Sequence, residues 1–222
     1  MSLTGFVNRC RTLSDNSIKP HKQGKLFVVS APSGAGKTTL CNKLLENHKA
    51  LRYSISYTTR QPRPDETDGT DYFFVDVPTF KAMIDKGEFI EWAEVHGNYY
   101  GTSRETVESI TAAGGDVLLD IDPQGARQLK SKLDYGIYIF ITAPSIAELE
   151  KRLRNRRTES DEVMRLRLDN ARKEIKHFNE YDYILVNKNF DEAYKKLEAV
   201  YIAEHLKAVD VKNIYELMDE ED

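Results

Sequence analysis

Leu26-Phe27-Val28-Val29-Ser30, running on into Ala31-Pro32-Ser33-Gly34-Ala35-Gly36-Lys37-Thr38-Thr39-Leu40, is the stretch on which the fold turns. Its first five residues form a short apolar run of the kind that makes a buried strand. A glycine-bearing loop comes next, and Thr39-Leu40 opens a helical pattern. Strand, loop and helix in that order are the setting of a phosphate-binding P-loop. Gly34 and Gly36 permit backbone angles that let successive N–H groups turn inward around an anion. The helix N-terminus adds unpaired donors and a partial positive charge. From there Lys37 can reach the outer phosphates of a nucleotide, and the Thr38 hydroxyl can ligate magnesium. Ala31 stands where the strict pattern has glycine, so a glycine-rich turn without a ligand is the competing reading. The flanking strand and helix favour the anion site.

Outward from this motif, 222 residues suffice for one α/β domain with small insertions. A net charge of −4, with both signs spread along the chain, argues against a general nucleic-acid-binding surface. No apolar run approaches the ~18 residues that span a bilayer. Cys10 and Cys41 are the only cysteines, which fits a reduced, cytoplasmic compartment without a disulfide framework. His21, His48, His96, His177 and His205 lack metal-ligand spacing, so a zinc site is not expected.

Met1 to Gln23 is basic and acid-poor, with no signal-peptide core. A transit peptide has a similar balance, but a flexible extension or a vector-derived remnant at Met1-Ser2-Leu3 is the preferred reading, and the stretch is set apart from the fold. After the P-loop helix, Tyr53-Ser54-Ile55-Ser56 is expected as a strand and Thr58 to Asp65 as a loop with two prolines. Asp71 to Val75 is aromatic and β-branched, hence strand, and Pro78 to Lys86 reads as a helix closed by Gly87. Glu88 to Val95 is a strand that turns at His96-Gly97-Asn98. Thr102 and Glu105 have capping-box spacing ahead of a helix that Gly114-Gly115 ends.

Val117-Leu118-Leu119-Asp120-Ile121-Asp122 is a buried strand that becomes acidic at its C-terminal end, where open parallel sheets bind ligands. Ile137 to Ile141 is another core strand. Ser145 and Glu148 cap a helix with Ile146, Leu149 and Leu153. Asp161 to Phe178 is the next helix, Tyr183 to Asn187 the last strand, and Ala193, Leu197, Val200 and Tyr201 share one face of a final helix. Asp219 to Asp222 is an acidic tail. The pattern is α/β, a P-loop three-layer α/β/α arrangement with a mainly parallel central sheet, a small β-rich insert and a helical lid.

The two interruptions carry the discriminating chemistry. Between Ser56 and Thr102 lie Arg60, Arg63, Tyr72, Tyr100 and Glu91. Arginine forks match phosphate oxygens, and tyrosine hydroxyls can complete a monophosphate cage; solvated arginines and core tyrosines are the plain alternative. The second interruption is an arginine cluster, Arg152 to Arg167. An arginine on a transferring phosphoryl group is worth about 10³–10⁵ in rate, yet such a run can equally decorate a helix and pair with Glu148, Glu159 and Glu162.

From Gly24 to about Leu206 the chain resembles the guanylate kinases. The resemblance rests on Ser33 to Thr38, Ser56-Tyr57-Thr58-Thr59-Arg60-Gln61-Pro62-Arg63, Gly69-Thr70-Asp71-Tyr72 and Phe89-Ile90-Glu91-Trp92. Asn98-Tyr99-Tyr100-Gly101-Thr102 and Leu119-Asp120-Ile121-Asp122-Pro123-Gln124-Gly125 extend it. It implies an extension at 1–23, a kinase-like domain at 24–207 and a tail at 208–222. Within the domain it implies a core (24–54, 103–150, 170–207), a GMP-binding insert (55–102) and a lid (151–169). By the same resemblance, Arg60, Arg63, Tyr72 and Tyr100 hold the phosphate of GMP, and Ser56, Glu91, Thr102 and Asp122 line the guanine pocket. Residues Ala31 to Thr39 cradle ATP, Asn187 lies beside the adenine, and Arg156 and Arg167 are the lid arginines that act with Lys37.

Guanine chemistry agrees with this carry-over. A carboxylate such as Glu91 accepts from the ring N–H and the amino group together, while Ser56 and Thr102 can donate to the carbonyl. Adenine presents an acceptor at the ring position, and sites built on such bonds reject a wrong ligand by about 10⁴–10⁵. The expected activity is phosphoryl transfer from ATP to GMP with Mg²⁺ held by Thr38, and with Asp120 available through a metal-bound water. Arg157, where glycine is common, and Lys188, where an acid is common, depart from the family pattern. Two rivals stand beside this reading: a silent guanylate-kinase-like module that binds phosphopeptides, and a P-loop kinase for another small acceptor. Neither nucleic acid nor membrane is an expected partner; a homo-oligomer is compatible with the sequence, though no apolar stripe marks its interface.

Overall fold

In the computed structural model, residues 24–95, 97–155 and 161–207 are described. The expectations for 1–23, His96, Arg156, Arg157 and 208–222 fall outside them. Along the chain run β1 (Leu26–Ser30), α1 (Lys37–Asn47), β2 (Leu51–Tyr53), β3 (Tyr57–Thr58) and β4 (Phe73–Phe74). Then come α2 (Val77–Asp85), β5 (Phe89–Val95), β6 (Asn98–Ser103), α3 (Arg104–Ala112), β7 (Asp116–Asp120) and α4 (Pro123–Lys132). The remainder is β8 (Ile137–Thr142), α5 (Ile146–Asn155), α6 (Asp161–Ile175), β9 (Tyr183–Val186) and α7 (Phe190–His205).

Five strands in the order β2-β7-β1-β8-β9 make the central sheet, and every pairing in it is parallel. The continuous burial of β1 follows from its place in the middle. Because side chains alternate across a strand, Phe27 and Val29 enter the core beneath α1, α5 and α7. Leu26 and Val28 enter a second core with Leu119, Val107 and Leu129, beneath α3 and α4. Two apolar layers on one sheet give the three-layer arrangement expected from the sequence.

The strand ends divide the molecule. Loops after β1, β7, β8 and β9 gather at the C-terminal edge of the sheet, where the P-loop lies. At the opposite edge, buried Asp116 accepts from the backbone N–H of Lys25 and the Tyr201 hydroxyl, each at 2.8 Å, with His205 Nε2 at 2.8 Å, and so fastens α7 to the sheet.

A second sheet, ordered β4-β3-β6-β5, forms the insert. Phe80 of α2 stacks on Phe89 and Tyr99 with ring centroids at 4.5 and 5.5 Å, giving the insert its own apolar centre. Here several boundaries differ from expectation. The second core strand is Leu51–Tyr53, paired to Asp116, Val117 and Leu118, so Ser54 and Ser56 lie past its end. Tyr57–Thr58 is a strand, paired with both β4 and β6, whose second residue opens the stretch read as loop. Of the expected Asp71 to Val75 strand, Phe73–Phe74 forms β4 and Tyr72 makes an isolated bridge to Asp68, and α6 ends at Ile175 rather than Phe178. Ser103, not Thr102, caps α3 by accepting from the Thr106 N–H.

Candidate active site

The P-loop is built as its spacing requires. Gly34 and Gly36 have φ of 88° and 89°, in the left-handed region. Gly36 is the N-cap of α1 and, with no side chain, leaves the first-turn N–H groups uncapped. Such a helix end suits an anion. Ala31, the departure from the strict motif, packs its side chain in the core under the sheet.

Lys37 begins α1. Its ammonium donates to the Ile121 carbonyl at 3.0 Å and pairs with Asp120 at the end of β7. Burial works against its charge, but Asp120 outweighs that cost and leaves the pKa above the ordinary lysine value. Thr38 and Thr39 are exposed in the first turn. Arg167 of α6 reaches across and donates from Nη1 to the Ser33 hydroxyl at 2.8 Å. Of the two expected lid arginines, this one meets the loop, while Arg156 lies outside the described residues.

On the insert side, Arg60 donates from Nη2 to both carboxylate oxygens of Glu66 at 2.7 and 2.9 Å and from Nη1 to the Gln61 carbonyl at 2.8 Å. Its guanidinium lies over Tyr72, 5.4 Å from the ring centre, and Tyr72 meets Tyr100 at 6.0 Å. Arg60, Tyr72 and Tyr100 are therefore brought together. Arg63 differs: its side chain is 64% exposed, and its firmest bond is from its backbone N–H to Glu66 at 2.8 Å. Burial comes first in raising the Tyr72 pKa, helped by Asp120 and Tyr100 and opposed by Lys37 and Arg60. This phenol thus senses the cations of both halves of the cleft.

Glu91 sits at the junction of insert and core, 3% exposed. Burial pushes its carboxyl up to about 7, the Thr102 hydroxyl that donates to Oε1 pulls it back, and Asp122 raises it further. The Thr102 hydroxyl thus donates to the very carboxylate that the sequence reading sets beside it in the guanine pocket. Ser56 is buried beside the β3 strand it precedes. Asp122 is the N-cap of α4, its Oδ1 accepting from the N–H groups of Gln124 and Gly125 at 2.6 and 2.9 Å.

Three contacts were not legible from the motifs, although Gly125 lies within one of them. Gly125 faces Glu91 so closely that an added Cβ would stand 2.3 Å from Oε2. Glu66 orients both arginines; its acid–arginine spacing was a possible signal. Glu174 of α6 lines a cavity of about 410 Å³ with Glu94, Asp122 and Lys173. Burial first, then Asp122, raises its carboxyl to about 6, against the pull of Lys37. Among the described residues no helix is long and apolar enough to cross a membrane, and no cluster of three or more His, Cys, Asp or Glu side chains is shaped for a metal.

A parallel sheet with a glycine loop leading into α1, facing an arginine–tyrosine cluster on a separate small sheet, defines a P-loop kinase fold. The sequence pattern of the family described as guanylate kinase matches residues 23–204, and the chain belongs to the guanylate kinase family. It is 52% identical to the guanylate kinase of Geobacter metallireducens over 186 residues, covering 84% of this chain and 92% of the relative. It is 53% identical to that of Geobacter sulfurreducens over 190 residues, covering 86% and 94%. The crystal structure of guanylate kinase from Anaplasma phagocytophilum superposes with a TM-score of 0.73 at 35% identity, covering 90% of this chain and 96% of that one.

Proposed function

We propose that this chain transfers the terminal phosphoryl group of ATP to GMP, giving ADP and GDP, in the cytoplasm. The observation that carries this reading is the buried carboxyl of Glu91, set where the insert meets the core and within reach of Asp122's influence. A purine with two adjacent donors satisfies such a group, and guanine is that purine. In this reading GMP lies against the insert 55–102, its phosphate met by Arg60, Tyr72 and Tyr100, with Arg63 swinging in from solvent. ATP lies along Ala31 to Thr39, under a lid at 151–169.

No covalent enzyme intermediate is required. The residues hold the two phosphates in line and supply positive charge where negative charge is spread in the transition state. Lys37 is already charged and half-buried; turning from Asp120 to the phosphates exchanges one anionic partner for another. Arg167, anchored on Ser33, is positioned to follow the donor phosphates, and Arg156 is the second arginine that the family resemblance assigns to this task. Closure of α5 and α6 over the cleft excludes water, which would otherwise compete as acceptor. The protein oxygens here, the exposed Thr38 hydroxyl and the Asp120 carboxylate, fit Mg²⁺, which binds few side chains and shares the phosphates. When bound it neutralises charge on the phosphate oxygens.

The direct test is ADP release with GMP, AMP, CMP or gluconate as acceptor. Rapid turnover with GMP and a rate lower by about 10³ or more with AMP is expected. Comparable turnover of AMP, or binding of a phosphopeptide without ADP release, would replace this reading by one of its rivals.

A further inference from the structure

Asn187 follows β9 and is buried, 152 positions along the chain from the loop it touches. Its Nδ2 donates to the Ala35 carbonyl at 2.8 Å. Its backbone N–H donates to the Thr142 carbonyl at 2.7 Å, and its own carbonyl accepts from Arg152 Nη2 at 3.0 Å. Arg152 is held in turn by Glu148 at 2.9 Å, one turn earlier on α5. The amide also fills the space that Gly36 leaves, since a Cβ there would stand 2.5 Å from Nδ2. Two consecutive residues of the P-loop are therefore packed against one side chain from the far edge strand.

We propose that Asn187 is a positioning residue that holds the P-loop in its anion-binding shape, rather than a residue that reads the donor base. The proposal rests on the reading that Ala31 to Thr39 bind the donor's phosphates. A carbonyl bonded to a buried amide keeps one orientation and does not turn toward an arriving phosphate, which it would repel. With Ala35 fixed, the adjacent Gly36 and the uncapped first turn of α1 keep their N–H groups directed at the anion. One of the two amide N–H bonds is committed to Ala35 and Nδ2 packs against Gly36, which leaves only part of the amide free to meet a base.

A base-free probe separates the two roles. Binding of inorganic tripolyphosphate with Mg²⁺ is measured by calorimetry on the full chain, on Asn187→Ala and on Asn187→Ser, with ATP and GMP alongside. Loss of one buried amide bond should weaken tripolyphosphate about tenfold in Asn187→Ala, and ATP by the same factor. GMP affinity should stay within about twofold, which a general loss of structure would not allow. Asn187→Ser, a smaller change, gives the same comparison if the alanine variant does not fold. Unchanged tripolyphosphate affinity beside weakened ATP would overturn the proposal, because only a base contact would then have been lost. A wild-type chain that binds no tripolyphosphate would overturn it as well. A wild-type chain that binds both phosphate ligands yet never phosphorylates GMP would instead sink the phosphotransferase reading and leave this one standing.

Discussion

At the scale of single residues, a buried carboxylate whose donors come from a single neighbouring residue keeps acceptor capacity for an arriving ligand. Glu91 is in that position, with its pKa raised from 4.5 to about 7. Between those two values the folded protein holds a proton that the unfolded chain has released, so this group's contribution makes stability fall as pH rises across that window. Glu91→Gln removes the burden and should raise unfolding free energy at pH 8 by on the order of 2 kcal/mol. The same change should harm function, because an amide offers donors where guanine also donates. In the wild type, KM for GMP should climb below about pH 7 by up to about tenfold per unit, while Glu91→Gln should show a high KM with that slope lost. Any slope left near pH 6 belongs to the phosphate's own second ionisation, at about 6. Denaturant melts and KM profiles from pH 5.5 to 8.5 check both halves; a variant that keeps the wild-type slope would remove Glu91 from the guanine site.

At the scale of elements, the proposed acceptor site depends on how α4 meets β5. Asp122 caps α4 and sets where its first turn begins, which brings Gly125 against the Glu91 carboxylate. Helix 4 tolerates alanine at that position on backbone grounds, since Gly125 has no positive φ. Gly125→Ala should therefore leave the helix intact and push Glu91 aside. We expect KM for GMP to rise about tenfold or more with KM for ATP unchanged; an unaltered GMP constant would mean that the contact is not needed. Such a contact also shows where sequence reasoning stops. The P-loop strand and α1 were readable because apolar runs and glycine angles act locally. β2 was expected too far along the chain and β3 was not expected, because segments of three and two residues become strands only through distant partners such as β7 and β6. Thr102 and Ser103 are both competent caps, and Ser103 takes the role because Glu91 engages the Thr102 hydroxyl. The Asn187 to Ala35 bond spans almost the whole domain, beyond any local rule.

For the whole molecule, the two edges of the sheet have separate duties. Asp116, Tyr201 and His205 fasten α7 at one edge, far from the reacting groups. The other edge collects the P-loop, Asp120, Asp122 and Asn187, and the insert brings Arg60, Tyr72 and Glu91 to face them. Tyr72, influenced by Lys37 and by Arg60, marks where the two halves approach. The family likeness covers core and insert alike, and the motifs that carried it were legible because phosphate and guanine chemistry restrict side-chain choice. The central claim is that one nucleotide occupies each half, with their phosphates meeting between Lys37 and Arg60. A crystal structure with a bisubstrate analogue, guanosine and adenosine joined through a phosphate chain, tests it most directly. The account predicts guanine on Glu91 and the adenosine-side phosphates on the N–H groups of Gly34 to Thr38; guanine bound away from Glu91, or a phosphate chain that avoids Arg60, would contradict it.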